Sequence, residues 1–435
     1  MDRACTIARN IIKGVLEMTA SVSCDLLKRR SLPLLTLVLL TSGSIETAVA
    51  AEACVQDVHR VLSMPAAQAA SSKHLSEALA SRLDAAVTKA LHQTAAPGAI
   101  VGVRTPEGSW VEGVGIADPG TGAQMSPGMH TRIGSVTKTF TGTVILRLAE
   151  DGLLSLDDTI GAYVAGIPNG DKITLRQLAN MTSGIASYTA SERFVNLYLE
   201  DPNMFFSPED LVAYAVENSP LFEPGSEYDY SNTNTILLGM VIEKVTGQPV
   251  ETALRTMIFE PLGLENTSWP GRQTAIPAPY ARGISLQGYD ATPEAPLDAT
   301  NWNPASLWTA GEIISDVDDL LAYGRALATG HGLLDARSQE QRLRSFQGPE
   351  GYGLALHCTD GWVGHTGEMP GYTTIVYYNS TTDTTVAIQT NSDIPSDDCG
   401  DAAALLSSPQ GIVCSSPAMR IFNAVAPLLG GTAAP

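Results

Sequence analysis

The sequence predicts an α+β fold: an antiparallel sheet flanked by terminal helices, plus an inserted, mostly helical subdomain. Three observations predict it. Strand-like runs cluster towards both ends of the chain, as "GAIVGVRTPEGSWVEGVGIAD" from Gly98 and as four short runs between Gly351 and Ser392. The connections between these runs are short, which implies antiparallel pairing. The middle, about residues 135–330, carries mostly helical patterns broken by Pro and Gly. A cleft between two such lobes is a natural ligand site.

The elements follow in order. Residues 1–50 read as a targeting segment. Lys28, Arg29 and Arg30 precede the apolar run Leu32 to Leu40, and Ala48-Val49-Ala50 offers a small-x-small cleavage site. The apolar run is shorter than the ~20 residues that span a bilayer. The stretch ahead of the basic cluster is long for a signal, so Met18 is a candidate start, and an uncleaved anchor is the alternative. Residues 51–73 read as an Ala/Ser-rich linker or loose helix, and 74–430 as one domain. His74 to Leu91 has leucines and alanines at helical spacing. Two strands about Pro106-Glu107-Gly108 follow, then the helical region. The runs "GYGLALHCT", "GWVGHTG", "YTTIVYYNST" and "TTVAIQTNS" and a closing helix from Pro417 to Leu429 complete the chain.

The 435 residues suffice for a large core. With 26 basic and 46 acidic residues the formal charge is −20. Such a chain repels phosphate backbones and anionic lipid surfaces, which argues against nucleic acid as a partner. Cys5 and Cys24 precede the apolar run, so Cys54, Cys358, Cys399 and Cys414 would remain after export. Four cysteines in an oxidising compartment allow three pairings, of which Cys399–Cys414 closes a short local loop. Cys54 could instead carry a lipid, although the preceding "AEA" lacks the apolar residue usual in lipoprotein signals.

Three short motifs carry the chemistry. In "IGSVTKTFTG", Ser135 and Lys138 sit at i and i+3 on one helix face, roughly 5–6 Å apart at Cβ. Serine needs an adjacent base to act as a nucleophile. A lysine serves if burial lowers its pKa, and the helix start offers N–H groups to a developing oxyanion. The bland alternative is a capping serine beside a solvated lysine. In "YSN", Tyr230 and Asn232 are one residue apart and face the same side of an extended stretch. The phenol can exchange a proton and the amide can hold a substrate amide. The alternative has Ser231 or Asn232 capping a helix from Thr235. In "GHTG", His365 could place a donor beside the serine, and Gly367 permits close approach of a ligand backbone. The alternative is an incidental surface histidine. His357, Cys358 and His365 lack the tight spacing of a zinc site, so no metal and no cofactor is expected. No G-x-S-x-G elbow, Walker A loop or H-E-x-x-H occurs.

In this order and spacing, S-x-x-K, Y-x-N and H-T-G resemble the penicillin-recognising serine hydrolases. The similarity is to the branch of class C β-lactamases, serine D-Ala-D-Ala carboxypeptidases and related esterases. "RIGSVTKTFTGTVILRLAEDGLLSLDD", "ITLRQLANMTSGI" and "FEPGSEYDYSNTNTILLGMVIEKVTG" extend it over about residues 75–430. The resemblance implies a β-lactamase/DD-peptidase-like fold and Ser135 as the acylated nucleophile. Lys138 and Tyr230 would move its proton, His365 would stand where many members carry Lys, and Asn232, Thr366, Gly367 and Glu368 would bind substrate. The oxyanion hole would be the N–H groups of Ser135 and Glu368. It implies a secreted or cell-envelope hydrolase, D-alanyl-D-alanine carboxypeptidase-like, acting on cell-wall peptides, with D-Ala-D-Ala peptides, β-lactams and esters as the substrate range. An esterase or weak β-lactamase, or a non-catalytic penicillin-binding sensor, are the alternatives. H-T-G in place of K-T-G weakens the lactamase reading. His357, where some carboxypeptidases carry a carboxylate-gripping Arg, weakens the terminal-carboxylate preference.

Overall fold

The computed structural model describes residues 54–66, 73–346, 351–396, 399 and 414–430. The expected targeting segment lies outside the described residues. The centre of the fold is a seven-stranded sheet. Its strands are β1 (Gly98–Thr105), β2 (Gly108–Asp118), β3 (Ala123–Gln124), β8 (His357–Thr359), β9 (Trp362–Met369), β10 (Tyr372–Asn379) and β11 (Thr384–Thr390). Its order is β3-β2-β1-β11-β10-β9-β8, antiparallel throughout. The two ends of the chain thus meet in one sheet, with β1 against β11 in the register Val101↔Ile388. β10 and β11 are buried at every position, which is why their sequences read as continuous β-branched and aromatic runs rather than alternating ones. Two short pairs lie in or beside the middle region: β4 (Thr131–Arg132) with β7 (Ile314–Ser315), and β5 (Ile284–Ser285) with β6 (Leu297–Asp298).

Side-chain alternation splits the sheet between two cores. One face carries Val101, Val103, Tyr377 and Ile388. It packs on Leu83 and Val87 of the helix Glu77–Leu91 and on Ile421, Phe422 and Val425 of the helix Pro417–Val425. Both helices start as their sequences dictate: Ser76 accepts from Leu79 N, and Ser416 accepts from Met419 N ahead of Pro417. The other face carries Ile100, Val376 and Ala387 and meets Val317, Leu320 and Leu321 of the helix Val317–Thr329. Beyond that helix, Phe140 of the helix Thr137–Glu150 stacks on Tyr323 at 3.7 Å between ring centroids. The helix Asn232–Thr246 then buries Ile236, Leu237 and Val241 in the same core.

Several expectations change in detail. "GYGLALHCT" is a strand only over His357–Thr359. The helix predicted from Thr235 begins at Asn232, and Ser231 occupies the N-cap position with its buried hydroxyl unbonded among the described residues. The stretch read as a linker holds the helix Val58–Ser63, whose Val58 and Val61 are buried. Cys399 pairs with Cys414, and Cys54 pairs with Cys358 across 304 residues. The Cys54 sulfur is therefore bonded, and so is the Cys358 sulfur that a zinc site would need. Among the described residues no helix is long and apolar enough to cross a membrane.

Candidate active site

Ser135 lies in a 3₁₀ turn, Gly134–Val136, just ahead of the helix Thr137–Glu150 rather than inside it. Strand β9 runs directly against this turn. Gly134 has φ 51°, and a Cβ there would stand 2.6 Å from the Glu368 nitrogen. A Cβ on Gly367 would stand 1.9 Å from the Ile133 oxygen. Only glycines allow this approach. It brings the backbone nitrogens of Ser135 and Glu368 to the same end of the cleft.

Lys138 is fully buried one helical turn on. Its Nζ lies 2.8 Å from Ser135 Oγ and 2.8 Å from the Ala310 oxygen. The Ala310 carbonyl is set by a wedge, Trp308–Ala310, between the two central helices. Thr309 Oγ1 donates to the Thr235 oxygen, and Thr141 Oγ1 donates to the Thr309 oxygen. Burial holds the Lys138 amine well below the ordinary lysine value. The solvated-lysine reading is thereby set aside.

Tyr230 completes the group. Lys138 Nζ is 5.0 Å from the centroid of its ring. Burial pushes the phenol above its ordinary value, and a hydrogen bond with Ser135 opposes that rise. Tyr230 is thus a protonated phenol at neutral pH. Asn232, the first residue of its helix, is nearly buried. Its amide nitrogen donates to Thr189 Oγ1 at 3.3 Å and its backbone nitrogen to Ser187 Oγ at 3.2 Å.

His365 joins the cluster in a different way from that expected. Its Nδ1 is 2.5 Å from the Thr366 oxygen, and its Nε2 is 3.1 Å from the Tyr352 hydroxyl. A carbonyl only accepts, so Nδ1 carries the proton and Tyr352 donates to Nε2. Burial pushes the ring down to about 3, so it is neutral. Both nitrogens are occupied by the wall. His357 sits on the opposite sheet face, in register with Gly364, and its Nδ1 is 2.9 Å from the Tyr377 hydroxyl. The two histidines therefore do not converge on one point, and among the described residues no group of three or more metal-ligating side chains forms.

Two residues of the site were not singled out from the sequence. Tyr352 packs edge-on to Tyr230 at 5.9 Å and to His365 at 5.6 Å. Arg342 is fully buried and donates to the oxygens of Leu354, Thr139 and Ala355 and to Thr143 Oγ1. It ties the segment carrying Tyr352 to the helix carrying Lys138. Neither has a motif of its own. The only signal is that Tyr352 falls inside a run whose Gly351 and Gly353 make a poor strand.

The family model described as Beta-lactamase matches residues 83–409. The chain belongs to the beta-lactamase family. Its mixed fold, a large antiparallel sheet with helices, is that of the β-lactamase/DD-peptidase neighbours, and its family is one of serine hydrolases. A D-stereospecific amidohydrolase from Streptomyces sp. is 34% identical, with TM-score 0.66 over 72% of this chain and 94% of that one. A D-amino acid amidase from Ochrobactrum anthropi SV3 shares the fold at 23% identity, with TM-score 0.68 over 80% of this chain and 99% of that one. PbpX of Bacillus subtilis (strain 168), which bears a penicillin-binding name, is 27% identical over 281 residues. That match spans 64% of this chain and 66% of PbpX, just under two thirds of the relative's own length.

Proposed function

We propose that this member of the beta-lactamase family is an exported serine hydrolase that cleaves amide bonds of small D-amino-acid peptides through an acyl-enzyme on Ser135. The 2.8 Å contact between Lys138 Nζ and Ser135 Oγ carries the reading. Burial holds the amine well below the ordinary lysine value, which favours the neutral base that can take a proton. It takes the Ser135 proton as Oγ attacks the carbonyl. The oxyanion forms against the backbone N–H groups of Ser135 and Glu368, each such donor being worth roughly 10²–10³ in rate. The Tyr230 phenol, protonated at rest, gives its proton to the leaving nitrogen and recovers one from Lys138. Asn232 holds the substrate amide. Water then repeats the sequence on the ester and frees Ser135. His365 and Tyr352 act as positioning residues. Export is supported by the N-terminal pattern and by the two disulfides, Cys54–Cys358 and Cys399–Cys414.

D-Alanyl-D-alanine carboxypeptidase activity on cell-wall peptides is the form the sequence motifs favour. A D-amino acid amidase or esterase form is favoured by the neutrality of His365 and by the 34% identical Streptomyces amidohydrolase. Intact-protein mass spectrometry with benzylpenicillin, together with turnover of a D-alanine p-nitroanilide, tests the common mechanism. A penicilloyl adduct or p-nitroaniline release, absent in Ser135→Ala, is expected. Equal behaviour of Ser135→Ala and the wild type would sink the reading.

A further inference from the structure

The inference rests on the proposed acyl-enzyme mechanism and concerns which substrates it takes. Strand β8 ends its pairing at Gly364, so the edge of β9 from His365 onward is free of a neighbouring strand. The Ser135 turn approaches this open edge at Glu368. His365 and Gly367 are buried on the face towards Lys138. Thr366 and Glu368 alternate onto the other face, and they are the two residues of this segment that solvent reaches. A substrate whose carbonyl oxygen sits between the Ser135 and Glu368 nitrogens therefore runs its next group along the Thr366 hydroxyl and the Glu368 carboxyl.

The charges around that lip are acidic. Asp393 is buried nearby, accepting from Gly371 N at 3.0 Å, Ser285 Oγ at 3.0 Å and Gln287 Nε2 at 2.7 Å. Among the described residues no cation pairs with Glu368. The basic groups of the site face elsewhere: Lys138 Nζ contacts Ser135 and the Ala310 oxygen, and Arg342 donates to the carbonyls named above. Arg132 Nη2 donates to the oxygens of Thr274, Thr300 and Trp302; its buried Nε and Nη1 are unbonded among the described residues, and its charge acts on Tyr372 and Glu312 rather than on Glu368. His365 is neutral, and His357 holds Tyr377. A site that grips a terminal carboxylate needs a free donor cation there. This one presents a carboxyl instead.

We infer that Glu368 is a specificity-determining residue that turns the enzyme away from substrates with a free terminal carboxylate and towards those ending in a neutral amide or an amine. The substrate class is then the D-amino-acid amide or amine-terminated D-peptide, rather than the D-alanyl-D-alanine terminus. Partial desolvation and the nearby Asp393 raise the solvent-reached Glu368 carboxyl above its ordinary value, so the discrimination strengthens as pH rises.

The test uses one series, N-acetyl-D-alanyl-D-alanine, its C-terminal amide, and its ethylenediamine monoamide, assayed at pH 6 and pH 9 with wild type, Glu368→Gln, Glu368→Lys and Ser135→Ala. At pH 9 the wild type should order kcat/KM as amine, then amide, then carboxylate. Glu368→Gln should shrink the amine-to-carboxylate ratio by about tenfold or more, and Glu368→Lys should invert the order, as expected for one partly solvated charge pair. The ratio should fall from pH 9 to pH 6 in the wild type. It should fall less in Glu368→Gln, where Asp393, raised to about 6 by burial, is the carboxyl that still titrates near the lower pH. Ratios are internal to each variant, so a general loss of rate does not disturb them. A wild-type preference for the carboxylate, or equal ratios in all three charge variants, would overturn the inference while leaving Ser135-dependent hydrolysis standing. Hydrolysis absent or unaffected by Ser135→Ala would remove the mechanism and the inference with it.

Discussion

The Tyr352 hydroxyl donates to Nε2 of His365 at 3.1 Å, while Nδ1 of the same ring is committed to the Thr366 carbonyl. The histidine of the third motif is therefore a fixed strut between strand β9 and the Tyr352 segment, and the proposed mechanism routes its protons through Lys138 and Tyr230.

Removing the strut should cost alignment rather than chemistry. Tyr352→Phe keeps the ring against Tyr230 and leaves Nε2 without its donor, a loss of about 1 kcal/mol in stability. We expect kcat to fall about tenfold with KM changed less, and the pH profile to keep its shape. A displaced acid limb would mean that His365 exchanges protons during turnover. The ring itself, pushed down to about 3 by burial, should show no imidazole titration in the wild type between pH 5 and 8 by NMR. Its folded value lies below its unfolded one, so its contribution to stability is present above about 6.5 and is lost as pH falls towards 3.

Lys138 should trade stability for activity. Its folded pKa lies well below the unfolded one, so between the two the unfolded chain binds the extra proton and stability rises with pH until the unfolded lysine titrates. Lys138→Met keeps the volume and removes the buried amine. The variant should abolish ester turnover and melt above the wild type at pH 7, with the difference shrinking towards pH 10 in a thermal melt. A variant that melts lower at every pH would show that the hydrogen bonds to Ser135 and Ala310 outweigh the burial cost.

Glu312 is a second buried titratable group, two residues beyond the Ala310 carbonyl, with the Gly271 backbone N–H approaching its carboxyl. Burial pushes it up to about 8, and the attraction of Arg132 offsets this only in part. A carboxyl raised in the folded state is a growing penalty as pH climbs from about 4.5 through 8. Glu312→Gln should therefore match the wild type in urea unfolding at pH 5 and exceed it at pH 8 by an amount on the order of 1 kcal/mol or more. Equal stability at pH 8 would place Glu312 in contact with a neutralising partner.

Much of this molecule was legible in the sequence because its signals are local. Helix starts such as Ser76 and Ser416 follow from side-chain chemistry one turn long. The strands β10 and β11 follow from their β-branched runs. The spacing of Ser135 and Lys138 dictates their contact, since i and i+3 share a helix face wherever the turn forms. What only the tertiary structure decided depends on groups far apart in the chain or on the backbone, which has no letter of its own. The depth of Lys138, and so its readiness as a base, comes from the Phe140–Tyr323 stack and from the carbonyl of Ala310. The tautomer of His365 comes from Tyr352, and the Cys54–Cys358 pairing spans 304 residues. The exposure of Glu368 beside buried His365 and Gly367 follows from where β8 stops. Residue types and spacing name the reacting groups, but burial and dielectric set their protonation, and those are properties of the packed molecule.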